Sequence, residues 1–234
     1  MSVYLKIDAS TASEGFVTVY ANPSEKRLKL RVKLGEIVYT YDLGNGGVST
    51  PIPLQSGAGT YRFTLYKNKT ENKYRACAMA DIKAEIRNAN KTFLYPNQYV
   101  NYEPLRSLPC LESEAICKLH DSDRDKMNAV ITYISKFFVY DYVKAVTAKK
   151  GTMPDINACF NNHMGICQDL AALFACMMRV QGIPTKLVIG YADDEYHAWN
   201  NVLLDGKYEL VDITRLVKMG NTAKTPVYKE ERVY

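Results

Sequence analysis

One cysteine, one histidine and one aspartate stand in an order that chemistry can use. Cys167 lies in Met164-Gly165-Ile166-Cys167-Gln168-Asp169-Leu170-Ala171-Ala172-Leu173-Phe174, a glycine turn running straight into an apolar helix. A thiol in the first turn of a helix meets unpaired N–H groups and the positive end of the helix dipole, and both favour the thiolate. His197 follows thirty residues later (197 − 167) and Asp212 fifteen after that (212 − 197). Thiol, imidazole and carboxylate are the parts of a nucleophilic triad. The sulfur attacks a carbonyl, the imidazole takes and returns its proton, and the acid fixes the ring's tautomer and orientation. The backbone N–H of Cys167 is a candidate oxyanion donor, and Gln168, Trp199 and Asn157 are candidates for further donors or substrate contacts.

These residues need elements that hold them. After Cys167, Leu170, Leu173, Phe174, Met177 and Val180 recur on one helix side, while Ala171, Ala172 and Ala175 permit close packing on another. Gly182 and Pro184 end that helix. Three strands are expected next, at 185–191, 197–204 and 207–212. Asp205-Gly206 reads as a two-residue hairpin turn, which pairs Leu204 with Lys207 and makes partner numbers sum to 411. Asp212 then opposes Trp199, and His197 opposes Thr214. On that register His197 and Asp212 are diagonal neighbours on one face, about 7–8 Å apart at Cα.

The rest of the chain supplies a scaffold. Residues 3 to about 86 alternate apolar and polar: Val3, Leu5 and Ile7; Leu28, Leu30, Val32 and Leu34; Tyr61, Phe63 and Leu65. Period two implies antiparallel strands with one wet face. Gly35-Glu36 suits a II′ turn, and residues 68–73 suit a longer hairpin loop between strands at 61–67 and 74–80. Residues 88–106, with Pro96, Asn97, Asn101 and Pro104, read as a crossing. A short helix is expected at 112–120. Ser122 and Asp125 form a capping box ahead of Met127, Val130, Ile131, Ile134 and Phe137, a core-facing helix ending near Phe138. Lys149-Lys150-Gly151 and Pro154 mark a loop before the cysteine. The expected organisation is a small antiparallel, immunoglobulin-like β-sandwich at 1–88, a linker at 89–106 and an α+β catalytic domain at 107–234.

Composition narrows the function class. The 234 residues are 24% charged and 47% apolar, with a net charge of +5, an ordinary globular balance with interspersed charges. No arginine-rich run or nucleic-acid motif is present, so no nucleic-acid partner is expected. No apolar run approaches the roughly 18 residues of a membrane span. The start, Met1-Ser2-Val3-Tyr4-Leu5-Lys6, lacks the basic and apolar regions of a signal peptide. The expectation is a secreted or cell-surface protein whose leader lies outside this stretch, with a cytoplasmic location as the alternative. Six cysteines, at 77, 110, 117, 159, 167 and 176, include no CxxC pair, and setting one aside as nucleophile leaves an odd number.

Three features have a plain and a sharp reading. Lys29, Arg31 and Lys33 are a solvated strand face, or else an attraction to an anionic polymer such as teichoic acid. Asp193-Asp194-Glu195 is a solvated turn, or a selector for a cationic substrate group beside His197. Cys159, His163 and Cys167 carry zinc-ligand chemistry at a spacing of four, but Gly165 interrupts the helix that would align them and no fourth ligand is evident. No metal and no cofactor are expected.

In order along the chain, Gly165-x-Cys167-x-Asp169-x-Ala171, Gly182-Ile183-Pro184, Gly190-Tyr191, His197-Ala198-Trp199 and Val211-Asp212-x-Thr214 resemble the transglutaminase-like superfamily. Phe138-Val139-Tyr140-Asp141-Tyr142 and Tyr95-Pro96-Asn97-Gln98-Tyr99 are similar to segments of secreted Gram-positive members. The resemblance implies a papain-like core, with a cysteine-bearing helix packed on an antiparallel sheet that carries His197 and Asp212. Tyr208 stands where a tryptophan is common, and Ile213 where a proline is usual. The implied activity is hydrolysis or exchange of amide bonds on protein or peptidoglycan-peptide substrates, without the calcium sites of animal cross-linking members. A catalytically silent surface or binding protein on the same fold is the alternative.

Overall fold

The computed structural model describes residues 3–149, 151–219 and 225–234. Met1, Ser2 and Lys150, which entered the sequence reading, lie outside them. The chain divides into two compact units, Met1–Thr92 and Phe93–Tyr234.

The first unit is built by alternation. Strands β1 (Leu5–Asp8), β2 (Phe16–Ala21), β3 (Leu28–Leu34), β4 (Ile37–Asp42), β5 (Ser49–Pro53), β6 (Gly59–Thr70) and β7 (Lys73–Ala84) form two antiparallel sheets, ordered β1-β2-β5 and β4-β3-β6-β7. Val17 and Val19 from one sheet, and Leu28, Leu30, Phe63 and Leu65 from the other, meet in a single dry core. Two sheets packed face to face on such a core make a sandwich. Gly35 takes a positive φ of 56° in the β3–β4 turn, as a II′ hairpin requires. On the outer face Lys29 stands 4.7 Å above the ring of Tyr74, and Lys33 lies 3.6 Å from Glu36. The loop expected at 68–73 is shorter than its sequence implies. β6 and β7 run on to a two-residue tip at Glu71-Asn72, where the Asn68 side chain donates to the Glu71 carbonyl at 2.7 Å. Side-chain bonding of this kind lets polar residues continue a ladder that has no apolar face to define it.

The second unit is α+β. Phe93, Val100 and Tyr102 are buried, and the Tyr102 hydroxyl donates to the Leu94 carbonyl at 3.0 Å. α1 (Leu108–Cys117) starts four residues before the expected helix, because Pro109 is tolerated in a first helical turn. α2 (Asp123–Phe137) is capped by Ser122, whose hydroxyl accepts the Asp125 N–H at 3.1 Å. Met127, Val130 and Ile134 face inward, whereas Phe137 is exposed and leans on Tyr133 at 5.2 Å. There follow β8 (Val139–Tyr140), α3 (Tyr142–Thr147), α4 (Ile156–Asn162), β9 (Met164–Gly165) and α5 (Cys167–Val180). β10 (Thr185–Ala192), β11 (Glu195–Leu204), β12 (Lys207–Val211), α6 (Ile213–Met219) and β13 (Tyr228–Val233) complete it.

α5 is the centre of this unit. It packs on β10 and β11 and is covered by α1, α2, α4 and α6, so every residue from Asp169 to Arg179 is buried. Arg179 is held by carbonyl oxygens: it donates to Thr185 through Nε and Nη2 (2.9 and 2.8 Å), to Tyr95 (2.7 Å) and to Tyr234 (2.8 Å). Four charge-assisted bonds are what a cation this deep requires.

The sheet order is β12-β11-β10-β13, all antiparallel. Asp205 and Gly206 both have positive φ (50° and 77°), a type I′ turn, and pairing runs from Leu204↔Lys207 to Asn200↔Val211, each pair summing to 411. There the ladder stops. Asp212 does not oppose Trp199 in the sheet, and Thr214 does not oppose His197; Asp212 caps α6, its Oδ1 accepting the Arg215 N–H at 3.1 Å. An aspartate satisfies an orphan N–H at a helix start better than it extends a strand.

β13 fits only because Gly190 lacks a side chain. A Cβ there would lie 2.0 Å from the Lys229 carbonyl oxygen and 2.9 Å from the Trp199 ring. The β10–β13 register also slips by one residue between Ile189 and Gly190. Gly190→Ala is therefore expected to lower unfolding stability by about 1–3 kcal/mol, the usual range for overpacking. Urea denaturation measures it, and an unchanged midpoint would contradict this close approach.

Candidate active site

Cys167 is the first residue of α5. Ile166 precedes it in extended conformation (φ −86°, ψ 176°) and has no side-chain acceptor to cap the helix. The cap works in reverse: the Asp169 carboxylate accepts the Ile166 N–H at 3.0 Å. The same fully buried carboxylate accepts the Asp155 N–H at 3.2 Å and pairs with Lys144 Nζ at 2.7 Å. Three segments that precede the cysteine thus converge on one anion. Gly165 presses on this anion so closely that a Cβ would meet the Asp169 Cβ and the Cys159 Sγ at 2.8 Å each. The sulfur is held at a helix mouth whose first N–H groups have no partner within the helix.

His197 lies on β11 opposite Gly190, and its Nε2 is 2.9 Å from Asp212 Oδ2. Both side chains are shielded, at 11% and 4% exposure. With Nε2 engaged by the acid, Nδ1 is the nitrogen left for the thiol, and Cys167 lines the same cleft as the imidazole. Asp212 Oδ2 also accepts the Tyr228 hydroxyl at 2.8 Å.

Burial alone would depress the imidazole's proton affinity. The Asp212 carboxylate and the nearby Cys167 sulfur outweigh it and raise His197 from 6.5 to about 9. Burial likewise pushes the Asp212 carboxyl up, but His197, Tyr228 and the Arg215 N–H together bring it below the usual carboxylate value. The Tyr228 phenol, partly desolvated and facing Asp212, is pushed up to about 12 and stays a donor.

Cys167 and His197 share a cleft of 770 Å³ lined also by Tyr99, Met153, Ile166, Tyr191 and Tyr196. Gln168 borders it, but its Nε2 is spent on the Thr152 carbonyl at 2.9 Å. Trp199 is not in the cleft. It is fully buried beneath the imidazole, ring centroids 6.4 Å apart and planes at 21°, because inward alternation on β11 sends it into the core. Asn157 is exposed on α4 and does not line the cleft. Asp193 and Asp194 form a two-residue turn between β10 and β11. With Glu195 and Tyr140, Asp193 borders a second hollow of 300 Å³ that also touches His197 and Asp212.

Cys159 is buried, its thiol pushed up to about 12 mainly by desolvation, and the exposed His163 packs its ring 4.9 Å from Phe138. Among the described residues no three His, Cys, Asp or Glu side chains converge as a metal set.

Sequence reasoning passed over several contributors. Asp169 had a signal, an acid in the first turn of a helix, but no role was drawn from it. Asn200, whose amide donates to the Ala171 carbonyl (3.0 Å) and the Lys186 carbonyl (3.1 Å), ties α5 to the strand bearing His197. Tyr228 gave no signal, since it arrives from a strand sixteen residues beyond Asp212.

Residues 113–213 match the sequence model of the Transglutaminase-like superfamily. This stretch of the second unit is similar to the transglutaminase-like superfamily. Among curated proteins, the uncharacterized protein YebA of Bacillus subtilis (strain 168) is 27% identical over 164 residues, covering 67% of this chain and 22% of YebA. The chain thus spans about a fifth of that relative's length. Among solved structures, a candidate cysteine protease from Cytophaga hutchinsonii is 17% identical, covering 91% of this chain and 78% of its own, with a TM-score of 0.48. The periplasmic domain of TgpA from Pseudomonas aeruginosa, solved bound to ethylmercury, is 12% identical over 91% of this chain and 96% of its own, with a TM-score of 0.42.

Where this transglutaminase-like unit departs from the common pattern, packing absorbs the change. Tyr208 takes the Lys186 ammonium over its ring at 3.8 Å, and Ile213 is fully buried at the start of α6. The imidazole's raised affinity has a consequence for stability. Folded protein holds the His197 proton more tightly than unfolded chain, so its stabilising contribution is complete below pH 6.5 and is lost as pH rises to about 9. Denaturant midpoints of wild type and His197→Gln should differ most below pH 6.5 and converge above about pH 9. A gap that does not change with pH would be inconsistent with this.

Proposed function

We propose that the transglutaminase-like unit is a thiol enzyme that hydrolyses or exchanges amide bonds of protein or peptidoglycan-peptide substrates. The observation that carries this reading is that Cys167 and His197 line one cleft, with the imidazole hydrogen-bonded to Asp212 at 2.9 Å.

In this mechanism Cys167 is the nucleophile. Its sulfur bonds to the carbonyl carbon while the carbonyl electron pair moves onto oxygen, which the Cys167 N–H meets at the positive end of α5. As the oxyanion collapses, the C–N bond breaks and the amine departs with the proton of His197, leaving a thioester. Water, or an amine in exchange, then gives a proton to His197 and attacks the thioester. The C–S bond breaks and the thiolate returns. Asp212 keeps Nε2 protonated so that Nδ1 faces the sulfur. No metal or cofactor enters any step. The silent binding-protein alternative is disfavoured, because a scaffold without catalysis has no need to hold a shielded imidazole between an acid and a thiol.

Cys167→Ala is expected to reduce turnover to background, a loss on the order of 10⁴-fold or more. It should also abolish iodoacetamide labelling at mildly acidic pH, with the fold intact by circular dichroism. The exposed thiol of Cys77 is pushed up by desolvation and competes little under those conditions. Undiminished turnover in the variant would refute the mechanism.

A further inference from the structure

We propose that Tyr228 is a positioning residue of this site, its hydroxyl fixing the Asp212 carboxylate that steers His197. The inference rests on the triad reading above and extends it to the last strand of the sheet.

Asp212 is held at both oxygens. Oδ1 accepts the Arg215 N–H at 3.1 Å, a bond the helix cap supplies by itself. Oδ2 carries the working contact, His197 Nε2 at 2.9 Å, and receives a second donor, the Tyr228 hydroxyl, at 2.8 Å. Without that donor the carboxylate could turn about its Cβ–Cγ bond and take the imidazole with it. The hydroxyl occupies the remaining approach and leaves one orientation of Oδ2 toward the ring.

The tyrosine is itself fixed. Its ring packs on Trp199, centroids 4.9 Å apart, and Trp199 lies under the imidazole, so one indole supports both donors of Oδ2. The Arg215 guanidinium is hydrogen-bonded to the phenol oxygen. The backbone just before it is clamped, since Val227 N–H donates to Asp193 Oδ1 and Asp193 N–H donates to the Val227 carbonyl, both at 2.8 Å. This gives the acidic turn a use that neither of its sequence readings foresaw: Asp193 anchors the start of the strand that delivers Tyr228. The groups facing Asp212 are His197 from β11, Tyr228 from β13 and Arg215 from α6, while Tyr140, Asp193, Glu195 and Lys218 border the hollow beside it.

Tyr228→Phe keeps the ring on Trp199 and removes only the hydroxyl. Asp212 then loses one of the bonds that favour its charged form, so it takes up a proton at higher pH and releases the imidazolium sooner. The rate of Cys167 alkylation by iodoacetamide, followed against pH in the full chain, should show its acid limb moved upward by about one unit. Turnover should fall about tenfold in kcat with KM unchanged, the signature of a bond that serves the reaction rather than substrate binding. Asp193→Gly, which suits the positive φ there and removes the clamp on Val227, should move the limb the same way by less, and it serves as the second variant if the first is poorly folded. An acid limb in both variants that coincides with wild type would overturn the positioning role and leave the triad standing. Absence of fast Cys167 alkylation in the wild type would instead remove the triad, and this inference with it.

Discussion

The interior of the second unit depends on keeping one helix out of water. From Asp169 to Arg179, α5 presents no residue to solvent, so it carries its apolar and alanine faces into contact with the sheet on one side and with four helices on the others. Two charges lie within that buried stretch, and each has been given a complete set of partners. Asp169 at the entrance is closed by two backbone N–H groups and Lys144, and Arg179 near the exit by three carbonyl residues. Buried charges are tolerated only when paired in this way. The arrangement has a functional side, because the anion at the entrance is what binds the loop, the turn and the cap that bring Cys167 to the cleft.

The opposite wall of the site depends on exclusion of water from a polar group. At 4% exposure Asp212 interacts with His197 in a medium where charge is weakly screened, so the imidazole holds its proton despite its own burial. The acid in turn needs several donors to remain charged there, and they come from three elements: β11, β13 and the start of α6. Removing solvent makes each bond stronger and makes each missing bond more damaging. A site of this kind is assembled from the whole sheet.

Fold and chemistry are separable in such a unit. On the proposed reading, the helix, the four-stranded sheet and the three polar groups Cys167, His197 and Asp212 make up a generic acyl-transfer apparatus. On that reading the choice of substrate falls to the cleft walls: Tyr99, Met153, Tyr191 and Tyr196 offer mainly aromatic and apolar surface, and Asp193, Glu195 and Lys218 border the smaller hollow. Loops and strand edges carry these residues, and such elements change most readily between relatives.

What the sequence determined by itself was local and periodic. Alternation marked the inward faces of β3 and β6, since the pleat sends every second side chain to one side. Asp205-Gly206 fixed the β11–β12 register, since a two-residue type I′ turn leaves no freedom in pairing. The α5 pattern, closed by Gly182 and Pro184, gave that helix and its end. Tertiary structure decided what local preference leaves balanced or cannot register. Asp212 reads as the end of a strand, and the free N–H groups of α6 settled it as a cap. Trp199 reads as a cleft aromatic, yet the pleat buried it under His197. Asn157 is polar near the cysteine in sequence, but α4 turns it to water. Tyr228 and Gly190 acquire their meaning only where β13 closes on β10, a pairing between distant segments that follows from packing and leaves no periodic trace in either one.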